Sequence, residues 1–417
     1  MNHVVFLNNN HQPILGILPH QYVVVDQQGS THLYKQSHFN HYMVHSSNTN
    51  LNDFLNQAFD LHQPCLTMGF IGYDYAAHQH IPLMTKPQPQ LFLAQFQHYL
   101  SYENQTWYFN SFQTHAESTF RDIETLISKP KDAAVLSLQE TCKARWSKAQ
   151  YAEAFHQVQE YIKAGDCYQI NLTQEFTTQA EGTLLSTAQE FWDLTQAPYS
   201  GYLRLENFEL LSCSPELFIN FEEHRKIVTK PIKGTMPRYA DPILDEQSKQ
   251  ALINSKKDQA ENVMIVDLLR NDLSVYAKTG SVKTPKLFNI ESFNQVHHMV
   301  SEIEASLKED VNPFDVLMSA LPGGSITGAP KIRAMQIIHE LEDAPRGAYC
   351  GSMGYFDSMG MGSWNILIRS IQKFQNELSV WAGGGITIAS DCDAEYQECF
   401  DKVEALLDLL NTWYKPE

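Results

Sequence analysis

Two pairs of carboxylates stand three residues apart in this chain. Asp258 and Glu261 precede the apolar run at 263–269, and Glu395 and Glu398 lie near the start of the last helical pattern. A spacing of three puts both members of a pair on one helix face. Four hard oxygen donors suit Mg2+, which takes one or two direct carboxylates and keeps water in its other positions. The same spacing also describes ordinary helix-surface charge, and acids early in a helix complement its dipole. Lys233 sits in the middle of Thr229-Lys-Pro-Ile-Lys-Gly-Thr-Met-Pro-Arg238, where prolines and a glycine hold a fixed, non-helical course. A lysine is a nucleophile only when neutral, so an apolar setting or a nearby cation must lower its pKa from about 10.4. A solvated loop lysine does no such chemistry. Glu216, in Ser214-Pro-Glu216 ahead of a strand pattern, is a candidate general acid on the same terms.

Three further motifs carry weaker signals. Leu321-Pro-Gly-Gly-Ser-Ile-Thr-Gly-Ala-Pro-Lys331 has the glycine spacing of a phosphate-binding loop, but Ala329 and Pro330 stand where Lys and Ser or Thr are required. The nucleotide reading therefore fails. What remains is a glycine-rich entry to a helix with Pro330 in its first turn, either a seat for a carboxylate or a plain helix entry. His297-His298 resembles half a metal site, though a packed or hydrogen-bonding pair accounts for it as well. Trp381-Ala-Gly-Gly-Gly-Ile386 either lets a ligand approach backbone N–H groups closely or makes a tight bend.

These residues need elements to hold them. Ser147-Lys-Ala-Gln150 has the form of a capping box, and Tyr151, Phe155, Val158 and Ile162 recur at helical spacing until Gly165, which predicts one amphipathic helix. Residues 167–176 alternate with period two and read as a strand. Further strands are expected at 209–212, 217–221 and 379–382, and helices at about 245–272, 330–342 and 394–411. Residues 1–130 form a strand-rich region, and Ser128-Lys-Pro-Lys-Asp132 interrupts the pattern before residues 131–417. Helices and strands mix without a strict βαβ rhythm, which favours α+β.

The chain has 417 residues, of which 43% are hydrophobic, and a formal net charge of −18. A length of this size allows two to three domains, and the composition is that of a globular protein with ample core. The acidic balance, without a cationic run, argues against a nucleic-acid backbone as ligand. Seven cysteines without a CxxC pair read as reduced, packed thiols. No apolar stretch reaches membrane-spanning length, and the first residues lack a basic and apolar leader, so a cytoplasmic location is expected.

The order of the motifs adds what their spacing does not. Gln169-Ile-Asn-Leu-Thr173, Ser214-Pro-Glu216, Pro231-Ile-Lys-Gly-Thr235, Lys257-Asp-Gln-Ala-Glu-Asn262, Val296-His-His-Met-Val-Ser301, Pro322-Gly-Gly-Ser-Ile-Thr-Gly-Ala-Pro-Lys331, Gly383-Gly-Gly385 and Glu395-Tyr-Gln-Glu398 resemble the chorismate-utilising enzymes. Residues 145–412 carry the resemblance densely, and the first third joins it through Gly69-Phe-Ile-Gly-Tyr-Asp-Tyr75. The resemblance implies an α+β, four-layer α/β/β/α fold, in which two large antiparallel sheets pack face to face around the active site. It also implies that the strand-rich first region is part of the same unit.

The resemblance implies site roles as well. Lys233 and Glu216 would be catalytic. Mg2+ would be held directly by Glu261 and Glu398 and through water by Asp258 and Glu395, and would receive the ring carboxylate of chorismate. Arg369 and Tyr349, with the backbone at Gly384 and Gly385, match positions that bind the enolpyruvyl carboxylate. His298, Ser325 and Gly328 match further substrate contacts. Lysine at 233 resembles the aminodeoxychorismate synthase large subunits, where anthranilate synthases typically carry alanine. The expected reaction is thus amination of chorismate to 4-amino-4-deoxychorismate, a p-aminobenzoate and folate precursor. Ammonia would come from a separate glutamine amidotransferase subunit, since the chain shows no glutaminase signature, and pyruvate release would belong to another enzyme. Anthranilate synthase component I, isochorismate or salicylate synthases, and an inactive chorismate-binding subunit are the competing readings. Met236 and Ser363 depart from the family pattern, and no Leu-Glu-Ser signature is evident, so tryptophan feedback is not expected.

Overall fold

The computed structural model of the chain describes residues 2–128, 132–292 and 296–416. The helix Lys148–Ala164 starts on Ser147, whose hydroxyl accepts from Gln150 N while the Gln150 side chain reaches back, and it stops at Gly165 with φ 84°. Its stripe of Tyr151, Phe155 and Val158 is buried against Ile170 and Leu172 of the following strand and Ile337 and Ile338 of the helix Lys331–Glu342. Burying side chains of this size stabilises by roughly 1.5–3 kcal/mol each, so packing rather than propensity holds this layer.

Among the described residues the strands form two twelve-stranded sheets. In the first, Gln169–Glu181 pairs antiparallel with Glu377–Ile386, which sets Asn171 opposite Gly385 and Leu172 opposite Gly384. In the second, Ile232–Pro237 pairs antiparallel with Val296–Ser306, which sets Thr235 opposite His298. Strands from the first 130 residues enter both sheets: Val4–Leu7 pairs with Gly201–Leu205, and Leu66–Ile71 pairs with Ser352–Phe356.

The sheets pack face to face through Val5, Leu203 and Leu210 on one side and Met68, Phe70 and Phe92 on the other. The helices Lys148–Ala164, Lys331–Glu342 and Cys392–Asp401 cover the first sheet. Lys256–Ser274 and Pro313–Ala320 pack on the second. The result is the α+β, four-layer arrangement expected above.

Two expected helices are each divided. The pattern at 245–272 forms Pro242–Asn254 and Lys256–Ser274, separated at Ser255, whose extended backbone (ψ 102°) leaves its side chain free to accept from Asp258 N. This cap puts Asp258 in a first helical turn. The pattern at 394–411 forms Cys392–Asp401 and Glu404–Asn411. Pro330 caps its helix rather than entering the first turn. Residues 129–131 of the expected seam lie outside the described residues. The seven cysteines are free thiols, and among the described residues no helix is long and apolar enough to cross a membrane.

Candidate active site

A cavity of about 580 Å³ opens between the sheets, a volume in the range of small-molecule sites. Its wall contains Lys233, Glu216, Arg369, Tyr349, Gly385, His298, Ser325, Asp258, Glu261, Glu395 and Glu398. Eleven of the thirteen site residues expected from sequence are therefore gathered in one place, although they come from both sheets and from helices on opposite sides. The other two do not line it. Gly328 pairs with Ile170, and a Cβ there would lie 2.1 Å from Gln169 O. Gly384 stands behind the acids: its missing Cβ would lie 2.7 Å from Glu395 Oε2 and 3.4 Å from Glu398 Oε1. Gly384 thus makes room for the carboxylates, whatever its backbone also binds.

Lys233 is a half-buried residue on the strand Ile232–Pro237, and its Nζ donates to Ser325 O at 3.4 Å. Desolvation lowers its pKa, Lys402 pushes in the same direction, and Glu216, Glu261 and Glu398 oppose them. Gly234, at φ 80°, allows this course of the chain. A Cβ there would come within 2.9 Å of Asp258 Cγ. Glu216 is 8% exposed, and burial raises its pKa to about 7 against the pull of Lys233. Ser325 Oγ donates to Glu216 Oε1 at 3.5 Å. A carboxyl that holds its proton near neutrality and an amine that sheds its own more easily are the two states that acid and nucleophilic chemistry require.

The acids enter from two helices. Asp258 and Glu261 lie on Lys256–Ser274, and Glu395 and Glu398 on Cys392–Asp401. Lys257 bridges the helices, its Nζ 4.0 Å from both Glu261 Oε1 and Glu395 Oε1. Burial raises the pKa of Glu261 and of Glu395. Glu261 Oε1 and Glu395 Oε2 are buried without a hydrogen-bond partner, a costly arrangement for carboxylate oxygens unless a cation or water takes them up. Among the described residues no group of three or more His, Cys, Asp or Glu side chains is placed to hold a metal ion. The acids form an open wall, which fits an ion that keeps several waters and takes few direct carboxylates.

At the other end, Arg369 holds φ 49°, a strained position for a residue with a Cβ. Its carbonyl accepts from Cys213 N at 3.0 Å. Tyr349 stacks on Trp381 with ring centroids 5.7 Å apart. Thr235 Oγ1 lies 2.9 Å from His298 Nδ1, and burial with Arg369 nearby lowers the His298 pKa to about 4, so its ring is neutral. His297 takes no part in the cavity wall. It bonds Asp245 and Ser292, the packed reading of the pair.

Lys402 was not singled out from the sequence. Its Nζ lies 2.6 Å from Glu398 Oε1 and donates to Gly383 O at 2.7 Å. Its position four residues after Glu398 is the signal that could have found it. Asn171 and Trp381 also join the wall, and neither Met236 nor Ser363 does.

Residues 4–408 match the family described as chorismate binding enzyme. The chain belongs to that family. The chain is similar to the aminodeoxychorismate synthase component 1 of Klebsiella aerogenes, 47% identical over 280 residues that make up 67% of this chain and 62% of the relative. It is 49% identical over 270 residues to the protein of the same name from Escherichia coli (strain K12), covering 64% of this chain and 59% of that one. The chain spans about three fifths of the length of these curated relatives. The fold is that of anthranilate synthase component I from Streptococcus pneumoniae TIGR4, with a TM-score of 0.81 over 94% of this chain and 91% of that one at 23% identity.

Proposed function

We propose that the chain aminates chorismate to 4-amino-4-deoxychorismate, with ammonia delivered from glutamine by a partner amidotransferase, on the way to p-aminobenzoate and folate. The observation that carries this reading is Lys233 and Glu216 meeting at Ser325 in the cavity wall. The names of the relatives at 47% and 49% identity support it.

In this mechanism the neutral Lys233 amine adds to C2 of the ring, the double bonds shift, and the C4–O bond breaks as Glu216 gives its proton to the departing hydroxyl, which leaves as water. Ammonia then adds at C4, the double bonds shift back, and the C2–N bond to Lys233 breaks. Splitting one displacement into two lets a fixed amine do the first step. Glu261 and Glu398 directly, and Asp258 and Glu395 through water, would hold a Mg2+ ion that neutralises the ring carboxylate and eases approach to the diene. Arg369 and Tyr349 orient the enolpyruvyl carboxylate, and the stacked Tyr349–Trp381 pair gives that part of the wall an aromatic lining.

The test is Lys233→Ala assayed with chorismate, Mg2+ and ammonium. Ammonia-dependent turnover should fall by at least about 100-fold, and intact-protein mass spectrometry of the wild type quenched during turnover should show a chorismate-derived adduct on Lys233. Full activity in Lys233→Ala would overturn the covalent step.

A further inference from the structure

Arg346 lies outside the cavity, yet its guanidinium ties together three separate parts of the wall. The side chain is 1% exposed, as is that of its partner Glu342. Arg346 Nη2 donates to Asn171 O at 2.8 Å, and Nη1 donates to Ile326 O at 3.1 Å. Nε and Nη2 donate to the Glu342 carboxylate at 2.8 and 2.7 Å. Its planar group lies 5.8 Å from the Tyr349 ring centroid and 4.8 Å from that of Tyr73. Glu342 in turn accepts from Thr173 N at 2.9 Å and Thr173 Oγ1 at 2.7 Å. Asn171, Ile326 and Tyr349 all face the cavity. They belong to a strand, to the glycine-rich loop and to a segment almost two hundred residues further along than the first.

A fully buried Arg–Glu pair is weak evidence for stability, since desolvating two charges costs about as much as their attraction returns, and apolar or neutral replacements are often tolerated. What a planar fork with fixed donor directions does supply is geometry. Ile326 O shows this, because it accepts from Arg346 and also from Asn171 Nδ2 at 3.0 Å. Two wall segments are thereby locked to one point. Ser325, which joins Lys233 and Glu216, is the residue just before Ile326.

We infer that Arg346 is a positioning residue for the reaction: its fork, set by Glu342, holds the Ser325–Ile326 turn, Asn171 and Tyr349 in the mutual arrangement that chemistry on the bound ring needs. This rests on the proposed amination of chorismate. Misplacing reacting groups by about 1 Å costs on the order of 100-fold in rate, while Arg369 and the four acids, which the fork does not hold, still bind the substrate carboxylates.

The experiment compares the wild-type chain with Arg346→Lys, Arg346→Met and the double variant Arg346→Met/Glu342→Gln. It measures the melting midpoint, steady-state kinetics with chorismate, Mg2+ and ammonium, and amide hydrogen exchange of residues 169–174 and 321–329. Arg346→Met strands a buried carboxylate and should melt lowest, and the double variant should recover most of that loss. In the double variant and in Arg346→Lys, kcat should stay at least tenfold below wild type with KM for chorismate within threefold. Exchange in both segments should be at least tenfold faster in the double variant. A double variant with a recovered midpoint, wild-type kcat and wild-type exchange would overturn the inference. If the wild-type chain does not turn over chorismate, the proposed function falls, and the exchange rates alone decide whether Arg346 holds the wall.

Discussion

The Ser325 hydroxyl donates to Glu216 Oε1 at 3.5 Å while the carbonyl of the same residue accepts from Lys233 Nζ at 3.4 Å. One residue thus touches both the acid and the amine. The hydroxyl favours the charged carboxylate and so pulls the Glu216 pKa down against its burial. Ser325→Ala removes that pull, the carboxyl keeps its proton to higher pH, and the alkaline limb of kcat/KM should move upward by about half to one pH unit. An unchanged limb would mean that this contact does not tune the acid.

Glu216 also makes a prediction about stability. Its pKa is raised by burial from 4.5 to about 7 in the folded chain. Between those values the folded state binds more protons than the unfolded one, so stability falls as pH rises through the window and stays lower above it. Glu216→Gln removes a charge that the fold does not favour. The variant should match wild type below pH 4.5 and exceed it above pH 7 by up to about 3 kcal/mol, read from denaturant melts at both pH values. A variant less stable than wild type at pH 8 would count against the assigned environment. In turnover the same variant should lose about 100- to 10,000-fold, the usual contribution of a positioned acid.

Gly384 tests the acid wall without removing a carboxylate. It is extended backbone, and a methyl group there would press within 2.7 Å of Glu395 Oε2 and 3.4 Å of Glu398 Oε1. Gly384→Ala should raise the Mg2+ concentration for half-maximal activity at least tenfold while moving the melting midpoint in chelator by only a few degrees. Unaltered Mg2+ dependence would separate these two acids from the metal.

The individual elements near the site were legible where a local rule governs them. Ser147 and Gly165 bound their helix as capping rules require, and the strand at Gln169 follows its period-two pattern. The break at Ser255 was not read, although residues 254–262 hold a single apolar residue, Ala260, and Ser255-Lys-Lys-Asp258 has the Ser-x-x-Asp form of a helix start ahead of the apolar run at 263–269. The convergence of Lys233, Glu216 and the four acids was carried by the order of motifs, since spacing alone leaves each pair as plausible surface charge. Gly384 was expected for what its backbone offers; what the structure shows is room for the acids where a side chain would stand, a consequence of which helix packs behind it. Lys402 was missed although Glu398 stands four residues before it, because its second partner, Gly383 O, comes from the strand packed against the helix; the Arg346 fork was missed because a lone arginine before a glycine shows nothing of a partner 175 residues away. Part of the −18 net charge is likewise concentrated in this wall, opposite Lys233, Lys257, Lys402 and Arg369.

The most direct measurement is product identification. The purified chain is incubated with chorismate, Mg2+ and ammonium, without a lyase, and the products are separated and weighed by mass spectrometry while pyruvate is assayed in parallel. The account predicts an aminated ring that retains its enolpyruvyl group, with no pyruvate released. Anthranilate with stoichiometric pyruvate, or a hydroxylated ring without nitrogen, would contradict it.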